Sequence, residues 1–490
     1  ARAELGPDVA ARMEASRRAV ADAVEQHAVV YGVTTGFGAL ADTSVAGADL
    51  VRMQYALLRS HAAGIGESLT DDAVRALLLL RARTLCAGYS GVRVELPRQL
   101  LELLDRDLLP VVPSKGSVGA SGDLAQLAAL ALPLVGEGRL RSSGDADKAG
   151  RPAAEVLAEH GLVPLELAPK EGLSLLNGTE PMQALLAFAV HDAELLAKAA
   201  DVACAMSVEG LLGTDRPYDE RVQNLRPHPG QLDSAANLRR LLAGSPLLAS
   251  HRDSRHAVQD SYALRCAPQV HGASRGVLAH CRAVLECELG AVVDNPVVVA
   301  DGEVMTTGNF HGQPLSFAAD MLAIAVAALG SISERRTYRM LDPATSRGLA
   351  PFLAPDAGTN SGFMLAQYTS AALVSENKVL THPASVDTVP TSGNQEDHVS
   401  MGWHAVRKAR DVVDNVRVVL SVELLCAAQA LDLRADVAAP AAATAAVRDE
   451  IRRSVPAMNV DREVTPQISA VIDNFGGLVA AAEKVAGALR

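Results

Sequence analysis

Gly116-Ser117-Val118-Gly119-Ala120-Ser121-Gly122-Asp123-Leu124 is the stretch on which the reading of this chain turns. Pro113-Ser114-Lys115 precedes it, and an apolar run from Leu124 to Val135 follows. Three closely spaced glycines open backbone conformations closed to other residues. At Ala120-Ser121-Gly122 no side chain separates the Gly122 nitrogen from the Ala120 carbonyl carbon, so a tight turn can bring the two into contact. Attack of that nitrogen closes a five-membered ring. Loss of water from the ring, and of the Ser121 hydroxyl, leaves a methylidene-imidazolone, an electrophile made from backbone. The plainer reading is a small-residue turn before a helix that begins near Asp123. The rest of the sequence decides between them.

Composition narrows the class. A length of 490 residues suggests about three domains, and 49% hydrophobic content is enough for a large core. Aromatics at 3% with abundant Ala, Leu and Val favour closely packed helices over a β-sandwich. The formal charge of −12, without a basic cluster, speaks against nucleic acid and acidic membranes as partners. Cys86, Cys204, Cys266, Cys281, Cys287 and Cys426 form no C-x-x-C pair and read as buried reduced thiols rather than a disulfide framework or zinc site. No secretory h-region opens the sequence and no apolar run looks long enough to span a bilayer, so cytoplasm is the expected compartment.

Taken in order, residues 4–27 read as a charged, Ala-rich helix, and Tyr31-Gly32-Val33-Thr34-Thr35-Gly36-Phe37-Gly38 as a loop. Ser60-His61-Ala62-Ala63-Gly64 follows an apolar helix. Thr70 caps a helix through Ala87, with Asp71 and Asp72 at its positive end and Gly88 as its stop. A second helix spans 95–108. Residues 136–170 read as loops around a short helix. Asn177-Gly178 is a turn dipeptide leading into a long helix from 180 to 212, and a boundary is expected near 205–215. Then come Gln259-Asp260-Ser261-Tyr262-Ala263-Leu264-Arg265, Gly308-Asn309-Phe310-His311-Gly312 and Thr391-Ser392-Gly393-Asn394-Gln395-Glu396-Asp397-His398. Long helices are expected at 268–291, 314–341, 362–381 and 397–432, without the alternation of a sheet, and two shorter ones at 440–490. Taken singly, Tyr31 is an anchor, His61 and Phe310 are core residues, Arg265 is an ion-pair partner, and Glu396 sits at a helix start for dipole reasons.

Together these blocks resemble the histidine and aromatic amino-acid ammonia-lyases over nearly the whole chain. In that family the prosthetic group forms autocatalytically from Ala-Ser-Gly. The resemblance therefore implies a methylidene-imidazolone from Ala120, Ser121 and Gly122, with no pyridoxal phosphate and no required metal. Gln126 stands where the family commonly has proline, which implies a locally altered helix start. The resemblance makes Tyr31 the general base, for which a lowered pKa would help, and Tyr262 a second catalytic tyrosine. It places His61 at the substrate side chain, Asn177 at the amino-acid group, Gln259 beside the substrate and Phe310 beside the ring. Arg265 would pair with the substrate carboxylate through its planar fork.

Histidine-specific members carry Gln-Glu-Asp-His where members acting on phenylalanine or tyrosine usually carry Gln-Asp-Val. A carboxylate at Glu396 can accept from an imidazole N–H but is costly against a phenyl ring. The implied reaction is therefore deamination of L-histidine to urocanate and ammonia. The implied fold is all-α, of the fumarase/aspartase-like superfamily, with a mixed N-terminal domain at 1–210 carrying the prosthetic loop and a helical bundle at 211–490. The implied assembly is a homotetramer whose active sites are completed by neighbouring subunits. Other readings are a tyrosine or phenylalanine ammonia-lyase or 2,3-aminomutase of the same family, a pyridoxal phosphate enzyme using Lys115, and a non-catalytic helical assembly protein.

Overall fold

The computed structural model describes residues 2–254 and 256–490. It is predominantly α-helical, as expected, and divides into two compact units that are each discontinuous in sequence. The first comprises Ala1–Ala187, Val284–Ala319 and Pro383–Arg407; the second comprises Phe188–Ala283, Asp320–His382 and Lys408–Arg490.

In the first unit, helix Asp71–Cys86 starts where its signals place it. The Thr70 hydroxyl accepts from the Ala73 amide at 3.4 Å, and Gly88, at φ +84°, turns the chain away. Helix Glu95–Asp105 buries Leu96, Leu100 and Leu103 along one stripe. Short strands, absent from the sequence expectations, frame the loop that carries Ala120-Ser121-Gly122. Leu108–Pro110 pairs antiparallel with Arg139–Ser142, which in turn pairs with Arg151–Pro152. Pro113–Lys115 pairs with Ile65–Ser68 and delivers the chain directly to Gly116.

The second unit is built on the helices Phe188 onward, with buried polar groups bonded between them. Asp201 accepts from His271 at 2.7 Å, Arg275 at 2.7 Å and Asn237 at 2.9 Å. Burial alone would raise that carboxyl, but Arg275, His271 and Ser234 together hold it down at about 2. Arg336 and Glu423, both fully buried, pair through Nη2 and Oε2 at 2.8 Å, and Ser207 donates to the same carboxylate at 2.6 Å. Leaving either ion without its partner would cost roughly 3–5 kcal/mol.

Three expectations are corrected. The helix expected from 397 begins instead at Gly402, directly after Met401, which lies in the left-handed region at φ 54° and cannot continue a helix. The C-terminal stretch holds three helices, Ala442–Ser454, Thr465–Asp473 and Phe475–Ala486, because the chain breaks again at Asn474. Finally, helix Gln313–Leu341 is long and apolar enough to cross a bilayer by length and composition alone, with a mean hydropathy of 1.9 over its best window. That window is 67% buried by protein, the mark of a core helix.

Candidate active site

The loop carrying Ala120-Ser121-Gly122 is held on one flank by backbone and on the other by backbone and side chains. The Asp123 amide donates to the Gly178 carbonyl at 2.9 Å, and the Gly178 amide donates to the Ser121 carbonyl at 3.4 Å. Gly122 lies at φ +70°, and a Cβ there would fall 1.8 Å from the Gly178 oxygen, so glycine alone fits. On the other side the Ser400 hydroxyl donates to the Gly119 carbonyl at 3.2 Å, and the Met401 amide donates to the Val118 carbonyl at 2.9 Å. Trp403, buried, donates from Nε1 to the Ser114 carbonyl at 2.9 Å. Gln126 donates from Nε2 to the Pro113 carbonyl at 3.3 Å, tying the first turn of helix Leu124–Ala131 to the incoming strand. The helix still begins at Leu124.

Inside this cradle the Ser117 hydroxyl donates to Asp123 Oδ1 at 2.6 Å and accepts from the Gly119 amide at 3.0 Å. The Met182 amide donates to Asp123 Oδ2 at 3.0 Å. Asp123 is fully buried. Burial pushes its carboxyl from 3.8 up to about 7; the Ser117 and Met182 donors partly oppose this, and Glu180 adds to it. The folded state therefore binds a proton that the unfolded chain has already released. Stability falls as pH rises from about 4 to about 7, by an amount on the order of 4 kcal/mol. Asp123→Asn is expected to shrink the difference in thermal midpoint between pH 5 and pH 8; an unchanged difference would show that Asp123 does not titrate in this window.

Asn177 is fixed at the start of the helix Glu180–Gly210. Its Nδ2 donates to the Asn295 carbonyl at 2.7 Å, leaving Oδ1 as its acceptor, and its own carbonyl accepts from Arg81 at 2.6 Å. Arg81 also pairs with Glu180 at 2.9 Å, both fully buried. A Cβ at Gly178 would strike both partners, at 2.0 Å from Glu180 Oε2 and 2.4 Å from Arg81 Nη1. The ion pair thus packs directly under the residue that bridges to Gly122.

A second cluster in the same unit joins Tyr31, His61 and Glu396. Tyr31 Oη accepts from the Gly38 amide at 3.1 Å, which folds the glycine loop back over its own tyrosine. Burial raises the phenol above its ordinary value; the Gly38 donor opposes this and the Glu396 charge reinforces it. This is the reverse of the lowered value expected of a base, because the ring is half-buried and faces a carboxylate. His61 closes the helix Leu50–His61. Its Nδ1 lies 3.0 Å from the Leu57 carbonyl, which can only accept, so Nδ1 carries the proton and Nε2 is left as an acceptor. Burial lowers the His61 pKa, with the Leu57 carbonyl and Glu396 opposing, which keeps the ring neutral at pH 7. Glu396 Oε2 accepts from the Thr391 hydroxyl at 2.8 Å. The Phe310 turn joins this region through its neighbour: His311 stacks on His398, with centroids 5.8 Å apart, and its Nε2 reaches the His398 carbonyl at 3.2 Å.

Gln259, Tyr262 and Arg265 belong to the second unit. Gln259 is exposed and Tyr262 is 71% exposed. The Arg265 guanidinium lies 4.6 Å from the Tyr262 ring centroid, and its Nε is buried with no hydrogen-bond partner among the described residues. Asp260 anchors this loop, accepting from the Thr214 amide at 2.8 Å and from Arg347 at 2.9 Å.

A family profile described as aromatic amino acid lyase matches residues 1–453. The chain belongs to the aromatic amino acid lyase family. It is therefore an enzyme, a carbon–nitrogen lyase. Among its relatives, the histidine ammonia-lyase of Deinococcus radiodurans is 53% identical over 469 residues, spanning 95% of this chain and 88% of the relative. The crystal structure of histidine ammonia-lyase from Trypanosoma cruzi superposes with a TM-score of 0.91 at 41% identity, covering 99% of this chain and 91% of that one. The tyrosine aminomutase of Streptomyces globisporus superposes at 0.93 with 37% identity, covering 99% and 95%. The family's fold is thus the fold of this lyase.

Reading the sequence missed the groups that support the triplet, namely Ser117, Asp123 as a buried acid, Arg81, Glu180 and Ser400. For Arg81 a signal was present: a lone charge inside Leu77-Leu78-Leu79-Leu80-Arg81-Ala82 calls for a buried partner. Nothing local marks Ser117 or Ser400.

Proposed function

We propose that this lyase removes ammonia from L-histidine without oxidation, releasing urocanate. The observation that carries the reading is the Glu396 carboxylate set against neutral His61 and the Tyr31 hydroxyl within one compact unit. His61 Nε2 and the Glu396 oxygen not held by Thr391 are both acceptors. An imidazolium, with N–H on both ring nitrogens, satisfies both; a phenyl ring satisfies neither and would leave a desolvated carboxylate unpaired. The histidine ammonia-lyases at about half identity support the same side chain.

The triplet fits a methylidene-imidazolone: Gly122 has no Cβ to obstruct ring closure, and its neighbours Gly119 and Gly178 leave no room for one either. When formed from Ala120-Ser121-Gly122, that group supplies an electrophile that makes the substrate amine a better leaving group. The chain's own residues then have distinct tasks. Tyr31 Oη receives the β-proton. Asn177, through Oδ1, and Arg265, through its fork, hold the amino and carboxylate ends. Gln259, Tyr262 and Phe310 line the substrate and ring. The exposure of Tyr262 and the unbonded Nε of Arg265 support a site completed by a neighbouring subunit, in an assembly we read as the homotetramer that the family resemblance implies.

Parallel incubations with L-histidine, L-tyrosine and L-phenylalanine, with products identified, test the reading. Urocanate is expected to form fastest. Faster turnover of phenylalanine or tyrosine, or a β-amino acid product, would replace it with one of the sister activities.

A further inference from the structure

The segment carrying Glu396 is a closed hairpin. The Thr391 amide donates to the Glu396 carbonyl at 2.9 Å, and the Glu396 amide returns to the Thr391 carbonyl at 3.3 Å. Between them Ser392, Gly393 and Asn394 sit at φ 50°, 61° and 74°. Ser392 in that region is disfavoured for any residue with a Cβ, so the closure must hold it there. The hairpin tip also touches the base loop: the Ala39 amide donates to Ser392 Oγ at 3.3 Å, and a Cβ at Gly38 would fall 2.1 Å from that oxygen. Gly38 is the residue whose amide holds Tyr31 Oη.

One contact in this hairpin is made by a side chain to the functional end of another. The Thr391 hydroxyl has a single proton, and Glu396 Oε2 lies 2.8 Å from it, nearer than the Glu396 carbonyl at 3.4 Å. A glutamate free to rotate about three side-chain bonds would have to be ordered on binding; here one oxygen is already tied by the Thr391 hydroxyl.

We propose that Thr391 is a positioning residue for substrate specificity: its hydroxyl fixes Oε2 of Glu396, so that Oε1 is presented to an N–H of the substrate ring. This rests on the reading that Glu396 binds that ring. Thr391 is extended, at φ −129° and ψ 175°, where valine is comfortable, so Thr391→Val removes the hydroxyl while keeping shape and hairpin.

The test is steady-state kinetics of the full-length enzyme with L-histidine and L-phenylalanine for Thr391→Val, Thr391→Ser, Glu396→Gln and the double variant Thr391→Val/Glu396→Gln. Thr391→Val is expected to raise KM for histidine about tenfold with kcat within about twofold, and to lower the histidine-over-phenylalanine preference, as loss of one hydrogen bond to a charged group predicts. Thr391→Ser should restore both values. In the Glu396→Gln background the valine change should add little, since the two residues act as one unit. If Glu396→Gln raises KM but Thr391→Val does not, or if Thr391→Val depresses kcat and thermal midpoint alike for both substrates, Thr391 is only a structural clamp and the proposal falls. If Glu396→Gln leaves histidine KM and preference unchanged, the assignment of Glu396 itself has failed, and the proposal with it.

Discussion

Ser121→Ala is expected to yield a folded protein whose urocanate formation is lower by at least about three orders of magnitude. The Ser121 hydroxyl is the group that must leave for a methylidene to form, and alanine has nothing to eliminate. The contacts that hold the triplet are made by backbone, at the Ser121 carbonyl, Gly122 and the Asp123 amide, and they survive the substitution. The thermal midpoint should therefore move little, as for other changes that break no buried contact. Two readouts accompany the loss of activity: the ultraviolet absorbance of a conjugated ring should vanish, and the mass deficit left by cyclisation and dehydration should disappear. Retained activity in Ser121→Ala would refute the chemistry assigned to the loop.

Tyr31→Phe is expected to cost about 10²–10⁴-fold in kcat, the range set by removing a positioned general base. Its pH signature is more specific. Because burial and the nearby Glu396 favour the neutral phenol, the ionised fraction at neutral pH is small and grows as pH rises. If the phenolate is the active form, kcat/KM of the parent enzyme should climb by about tenfold per pH unit on the acid side of that raised pKa. Tyr31→Phe should flatten this limb. The sign follows from the role, since a base acts in its deprotonated form, and the raised pKa moves the rise toward higher pH. A Tyr31→Phe enzyme that keeps the parental slope would move the base elsewhere, with Tyr262 the next residue to examine.

Local signals were strongest where the chain's own periodicity decides the outcome. Thr70, the acidic pair after it and Gly88 bracket a helix whose observed ends are Asp71 and Cys86. The helices Ala267–Gly290 and Gln313–Leu341 likewise begin and end within a residue of expectation, because long apolar stripes with glycine or proline at their ends leave few alternatives. The strands were illegible for the opposite reason. Leu108–Pro110 and Pro113–Lys115 are three residues each, too short for a two-residue period to declare itself, and each contains a proline that argues against a strand. At Glu396 the local rule misled: acidic residues ahead of an apolar run resemble a helix start, but the positive φ of Met401 keeps the chain out of the helix until Gly402.

The site divides in the same way. Ala120-Ser121-Gly122, Tyr31, His61 and Glu396 could be singled out as candidates because each lies in a distinctive block. Their supports were not, because support comes from residues distant in the chain. Arg81 meets Asn177 and Glu180, Ser400 meets Gly119, and Met182 meets Asp123 only once the unit has folded. Asp123 in particular reads as a helix-start acid in sequence and proves to be a buried carboxyl with a pKa near neutrality only through its three-dimensional surroundings.

The central claim is that an electrophile made from residues 120–122 drives deamination of histidine. Peptide mass spectrometry across that stretch, on a preparation whose urocanate production is measured in parallel, tests it most directly. A peptide lighter by the water lost from the ring and from Ser121, in proportion to activity, is the expected result. An unmodified Ala120-Ser121-Gly122 peptide throughout a fully active preparation would contradict it.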